Sequence, residues 1–247
     1  MPQYSKPPIT EAVIEFQFEG ECPDQARAKI TRKLRKRYPV EEIMQEMLFQ
    51  GSSTLVSHSV TPIGFKLSSQ DRTEIVTLTN TGTAPGLPVN RSAALSTSQL
   101  APYHGWDSFA TRFLEAWDIV EKALHRRKVT RMGVRFINRI DIPGALDDAG
   151  RWVRIAPDMP QELPMPVAFS VNTVLPLDSD THANVGMTVV NPVLPFHSAI
   201  LLDIDVYWIS PIPDLHDGRA EILNSLHNKK NLIFETCITD ETRQLFK

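Results

Sequence analysis

This chain is poor in the features that most quickly reveal an activity. It holds only two cysteines, Cys22 and Cys237, with no metal or redox spacing between them. They read as free thiols of a reducing cytoplasm, a disulfide being the alternative. No apolar run approaches the ~20 residues that a membrane-spanning helix needs. The opening "MPQYSKPPIT" lacks the apolar core of a secretory signal. Neither sign of charge dominates: 26 Lys and Arg against 29 Asp and Glu leave a net charge of −3. The whole chain therefore gives no argument for a nucleic-acid or membrane partner. Catalytic signatures are missing as well, since G-x-x-x-x-G-K-[ST], G-x-G-x-x-G, G-x-S-x-G and H-E-x-x-H all fail to occur. These absences lead us to expect a cytoplasmic protein without cofactor or metal, leaning away from an enzyme.

What is present is an ordinary globular composition, 42% hydrophobic and 22% charged over 247 residues. "TEAVIEFQFEGE" (10–21) alternates and reads as a strand, and "CPDQARAKITRKLRKRYP" (22–39) as a helix opened by Pro23 and Asp24 and ended by Pro39. Strands are expected near 47–59, 62–69, 73–79 and 91–99, with the turn-rich "NTGTAPGLP" at 80–88. A long helix follows at 106–127, its Trp106, Phe109, Phe113 and Trp117 at core spacing. The second half repeats that order more loosely. It has a strand at 129–142, a short helix in "GALDDAGRWVRI", strands near 167–176, 182–191 and 198–209, and a helix at 215–235. A last short helix spans 240–246, capped by Thr239 or Asp240.

The expectation is an α+β fold. Duplicated β-α-β-β-β-α units, about 1–128 and 129–247, share a curved, mainly antiparallel sheet with helices packed on one face. No glycine- or serine-rich linker separates the halves, so the chain reads as a single domain.

Within "RMGVRFINRIDIP" (131–143), Arg131, Arg135 and Arg139 recur every four residues on one strand face. Asn138 sits on the other, apolar face. Strand 10–21 offers Glu11, Glu15 and Glu19 at the same interval. If the two strands are neighbours, carboxylates face guanidiniums in a structural ladder. If not, the arginines are free to bind an anion. Asp203 and Asp205 share one strand face as a divalent-metal pair or as outward carboxylates. Of seven histidines, His227 falls beside the Leu223/Leu226 stripe of its helix. Arg135, Asn138, Arg139 and His227 are thus the ligand-binding candidates.

A second group is basic. Residues 25–37 carry seven cations and no acid, with Ala26, Ile30, Leu34 and Tyr38 as an apolar stripe. With Arg126 and Arg127 nearby in sequence to Lys128 and Arg131, the residues Arg27, Arg32, Lys33, Lys36, Arg126 and Arg127 are candidates for a polyanion surface. A solvated amphipathic helix accounts for the same run. No zinc-finger spacing or RNA-binding aromatic signature accompanies it.

Three segments, "PPITEAVIEF" (7–16), "RMGVRFINRI" (131–140) and "LHNKKNLIFETCITDETRQLF" (226–246), together resemble a sporadically distributed, uncharacterised bacterial protein family. The resemblance implies no catalytic residue and no substrate. Patchy occurrence points towards mobile-element or defence-linked genes. The favoured expectation is a non-enzymatic binding or interaction protein, its partner another protein or a second copy of itself. The alternative is an enzyme or binder acting on a phosphorylated or nucleic-acid ligand through its arginine-rich face. No membrane partner is expected.

Overall fold

The computed structural model describes residues 4–51, 56–81, 92–157, 159, 160, 162, 163, 166, 168–213 and 216–247, with backbone alone at 47–51, 56–59, 81 and 216. The elements in order are β1 (Ile9–Glu19), α1 (Asp24–Leu34), β2 (Val40–Gly51), β3 (Val56–Ser68), β4 (Glu74–Thr81), β5 (Ser92–Leu100), α2 (Trp106–Leu124) and β6 (Val129–Pro143). After a 3-10 turn at Ala149–Arg151 come β7 (Ser170–Pro176), β8 (Thr181–Val190), β9 (His197–Trp208), α3 (His216–Cys237) and α4 (Asp240–Gln244). The fold is α+β. Its hydrogen-bonded strand order is β2-β3-β4-β5-β1-β6-β9-β8-β7. The chain clusters into two compact units. One comprises 14–99 with 104–131, the other 1–13, 100–103 and 132–247, and β1 and β6 contribute residues to both.

In the first unit, α1 forms because its apolar residues return every four positions. Ala26, Ile30 and Leu34 are buried, and Tyr38 continues the stripe just past the helix end. Pro23 at the N-cap is set to φ −66°, which the helix entry requires. The helix stops at Leu34, earlier than the sequence suggests, because the next turn tightens: Arg37 and Tyr38 both donate backbone N–H to Leu34 O. On α2, Phe113 and Trp117 meet Phe16 edge-on at 4.5 and 5.2 Å, and Trp117 meets Phe18 at 5.5 Å. Such edge contacts add to the area term.

Strands β2 to β5 pair successively and antiparallel. The strand expected at 47–59 is really the end of β2 and the start of β3, and its residues 52–55 lie outside the described residues. The strand expected at 62–69 is the second half of β3. Of the turn at 80–88, only 80 and 81 are described, and both continue β4. Gly64 is obligatory, since a Cβ there would fall 2.1 Å from Leu78 O on the paired strand.

In the second unit, β6 pairs with β9 over twelve residues, from Met132↔Trp208 to Pro143↔His197, and β8 covers the other edge of β9. Met132, Val134, Phe136, Asn138, Ile140 and Ile142 are buried, as alternation predicts. The helix expected in 144–155 is only the 3-10 turn, with Asp148 Oδ1 accepting from Gly150 N. Thr239 caps α4, accepting from Thr242 N at 3.3 Å.

The arginine row departs from the three-rung ladder. β1 and β6 are neighbours, as the ladder requires. Arg131 Nη1 reaches Glu15 Oε1 at 3.1 Å, and Glu19 pairs with Lys128 at 3.2 Å. Arg135 instead turns to β9, donating Nε to Asp203 Oδ1 at 2.8 Å and Nη2 to Asp203 Oδ2. Arg139 donates to Asp141 Oδ1 and to Asn191 O, each at 2.9 Å. The cause is the second edge of β6, where Asp203 and Asp205 share the arginine face two residues apart. Asp203 is therefore a counterion on an arginine-bearing sheet face, and Asp205 beside it accepts from Asn184, as outward carboxylates rather than a metal pair would.

Candidate anion-binding face

The α1–α2 pair brings together basic residues that are ~90 positions apart in the chain. Lys29, Arg32 and Lys33 of α1 line one small cavity of about 130 Å³ with Lys122 and His125 at the end of α2. Arg32 also lines a cavity of about 420 Å³ on one side of α1, and Lys33 a cleft of about 380 Å³ between α1 and α2 on the other. The apolar stripe of α1 faces inward, so its cations lie on the solvent side of the helix.

Some of these charges are already neutralised. Arg27 pairs with Asp24 at 2.7 Å and Arg35 with Glu41 at 3.7 Å. Among the described residues, Lys29, Arg32, Lys33, Lys36, Lys122, Arg126 and Arg127 form no ion pair. Seven uncompensated cations on one unit of an acidic chain form a local field of opposite sign to its net charge. His125 and Arg126 hold left-handed backbone, φ 56° and 50°, closing α2 and turning the chain towards β6. Arg127 lies over Gly20, whose φ is +84°.

The 380 Å³ cleft is lined by apolar and charged residues together. Its floor is Leu34, Ala116 and Ile119, and its polar wall is Arg37, Tyr38 and Arg112. The Arg112 side chain is 3% exposed, with Nη1 3.3 Å from Glu74 Oε2 and the guanidinium 5.1 Å over the Phe109 ring. Arg37 grips the same carboxylate, Nε to Oε2 at 2.8 Å and Nη2 to Oε1 at 3.0 Å. The Arg37 hydrogen bonds hold the Glu74 carboxyl below the usual carboxylate range. Tyr38 is buried beside Arg112, and burial raises its pKa.

The other candidates lie elsewhere and do not converge. Asn138 is 2% exposed, its Nδ2 donating to Leu202 O at 3.1 Å and Phe136 O at 3.3 Å. It is a satisfied core amide. His227 packs its ring 6.0 Å from Phe136 on the same buried face, and Asn231 Nδ2 lies 3.3 Å from its Nε2. Arg135 and Arg139 point from the opposite face of β6, so strand alternation keeps the arginines apart from His227. Burial pushes the His227 pKa down to about 3.

Three buried cations among the described residues, Arg112, Arg219 and Lys230, are not evident from residue type alone. Lys230 is 5% exposed, with Nζ 3.6 Å over the Phe136 ring and donating to Asn231 Oδ1, and burial lowers its pKa to about 7. Arg112 and Lys230 each occupy a core position of a helical stripe, Phe109-Arg112-Phe113-Ala116 and Leu223-Leu226-Lys230-Ile233. That coincidence of charge with an apolar period is the signal that would have found them. Among the described residues no group of three or more His, Cys, Asp or Glu could hold a metal ion. No helix of the described residues is long and apolar enough to cross a membrane.

No family model matches the chain, and no curated protein does. Among solved structures it is similar to the di-domain ARO/CYC StfQ from the steffimycin biosynthetic pathway, with 14% identity and a TM-score of 0.21. That match covers 95% of this chain and 97% of the other. A likeness at this TM-score carries no argument about activity.

Proposed function

We propose that the chain is a non-enzymatic, cytoplasmic binding protein whose α1–α2 face holds a nucleic acid by its phosphate backbone. The observation that carries the reading is the convergence of Lys29, Arg32 and Lys33 with Lys122 and His125 on one cavity. Lys36, Arg126 and Arg127 extend the basic group on the same unit. Phosphates spaced along a strand answer cations spread over two helices, and each neutralised phosphate releases condensed counterions. Other features agree. Both cysteines are free thiols, in keeping with a reducing compartment. The described large apolar residues exposed to solvent lie outside α1 and α2, so this face lacks the wedge that an anionic membrane surface rewards. We also assign the chain, on its three resembling segments, to the uncharacterised bacterial family, whose patchy occurrence suits a mobile-element or defence setting.

The test is an electrophoretic shift with short single-stranded DNA and RNA at low salt. The wild type shifts both, and Arg32→Glu/Lys33→Glu/Lys36→Glu does not. Absence of any wild-type shift overturns the reading. A second reading, contact with another protein or a second copy, is favoured by one loop: Phe196, 95% exposed at φ 58°, beside exposed Val193 and Leu194.

A further inference from the structure

From the outer edge of β7 we infer that two copies of this chain associate by pairing their β7 strands antiparallel across a twofold axis. β7 is the last strand in the sheet order and is paired with β8 alone. Its register decides which backbone groups are used and which are not. Val189 N donates to Phe169 O at 3.0 Å and Leu177 N to Thr181 O at 2.9 Å, at the two ends of the β7–β8 ladder. Antiparallel bonding alternates, so Val171, Thr173 and Leu175 share that parity and bond inward to β8. The N–H groups of Ser170, Asn172 and Val174 therefore point away from β8, and none has a partner among the described residues. Pro176 falls at the next outward position, where its missing N–H takes no bond from β8. Such a row of open donors and acceptors is a template for another extended strand.

The residues of β7 make a second copy the fitting strand. The sequence SVNTVLP carries no charge, so two such strands meet without like-charge repulsion. β2, at the other end of the sheet order, differs: Glu41, Glu42 and Glu46 lie along it, and charge of this kind discourages edge pairing. β7 is also self-complementary. With the axis at Thr173, all seven residues pair: Ser170 faces Pro176, Val171 faces Leu175 and Asn172 faces Val174 of the second copy. Outward residues then meet outward residues, so Asn172 and Val174 exchange backbone bonds across the axis. Ser170 donates to the Pro176 carbonyl, which asks no N–H of the proline. Thr173 meets its own copy, and Val171 meets Leu175 twice, both favourable cross-strand pairs. Val174 is 65% and Leu175 37% exposed in the single chain, apolar surface that this pairing covers. A twofold contact uses both β7 edges at once, so association stops at two copies.

Sedimentation velocity of the full chain over a concentration series tests the pairing. No nucleic acid is present, so the outcome is independent of the phosphate-backbone reading. Two variants, Asn172→Lys/Val174→Lys and Asn172→Glu/Val174→Glu, change side chains that are exposed and leave the β8 ladder intact. Because residue 172 of one copy faces 174 of the other, each variant sets like charges opposite one another. The wild type is expected to show a monomer–dimer equilibrium, which either variant alone weakens by about a hundredfold or more. An equal mixture of the two variants restores the dimer, and does so less well at high salt. That restoration also shows that both variants are folded. A wild type that stays monomeric up to its solubility limit overturns the pairing, whether the edge is then bare or takes a strand of another protein. Dimers that persist unchanged in both variants overturn it, because the contact then lies elsewhere. Variants that remain monomeric when mixed overturn it as well.

Discussion

Arg112 and Glu74 form an ion pair across two elements of one unit, α2 and β4, with the arginine side chain 3% exposed and the carboxylate 21%. The carboxylate also takes two hydrogen bonds from Arg37. One acid thus holds two guanidiniums at the wall of the cleft, and its loss leaves a buried cation uncompensated. Glu74→Gln is expected to destabilise the protein by about 1–3 kcal/mol, read as a lower urea midpoint at neutral pH. The sign with pH follows from the lowered Glu74 pKa. The folded state holds fewer protons, so this stability is present above the ordinary carboxylate range and is lost as pH falls through the depressed folded value. Below that range the variant and the wild type should converge.

Arg135 and Asp203 make the contrasting case. Their side chains are 49% and 31% exposed, so the pair is partly screened by water. Asp203→Asn should cost ~0–1 kcal/mol, and less in high salt. Magnesium or calcium should not raise the thermal midpoint of the wild type, because Asp203 is occupied as a counterion. A metal-dependent rise that Asp203→Asn removes would restore the metal-pair reading.

Lys230 and His227 predict an unusual pH profile. Both bases have lowered pKa values in the fold, about 7 and about 3, against ordinary values of 10.5 and 6.5. The unfolded chain therefore binds more protons in each window, and stability rises with pH from about 3 to 6.5 and again from about 7 upwards. Tyr4, raised to about 12, opposes this above pH 10. The cleanest measurement is the difference between wild type and Lys230→Met, followed by urea midpoint. The variant should be the more stable near pH 7, with the gap closing as pH rises. A gap independent of pH would mean that Lys230 is charged in the fold.

Gly64 tests the β3–β4 register. An alanine there meets Leu78 O and Thr79 Cα of the paired strand, backbone atoms that no rotamer can move. Gly64→Ala should cost ~1–3 kcal/mol or more by chemical denaturation. A neutral substitution would mean that the two strands separate easily at this point.

Much of this fold is legible in the sequence because its periods are local. Ala12-Ile14-Phe16-Phe18 marks the buried face of β1, and Ala26-Ile30-Leu34-Tyr38 that of α1. The adjacency of β1 and β6 follows from charge complementarity, Glu15 meeting Arg131. What is not legible is non-local. Arg135 chooses Asp203 because β9 occupies the other edge of β6, which no pattern within 131–143 reveals. The junction of β2 and β3 is blurred because "LFQGSSTLVSHS" offers small polar residues rather than a sharp turn signal. For the site, the cations of α1 stand out by composition, whereas their meeting with Lys122 and His125 needs the helix pair. Arg112 is hidden because a charged residue on a helix is ordinarily assigned to its solvated face.

The central claim, that the α1–α2 face binds a phosphate backbone, is tested most directly by the salt dependence of single-strand affinity in the wild type and in Arg32→Glu/Lys33→Glu/Lys36→Glu. The account predicts that log affinity falls linearly with log salt in the wild type, by about 0.7 per phosphate neutralised, and that the variant loses both affinity and slope. A wild-type affinity that is indifferent to salt, or a variant that keeps the wild-type slope, would contradict it.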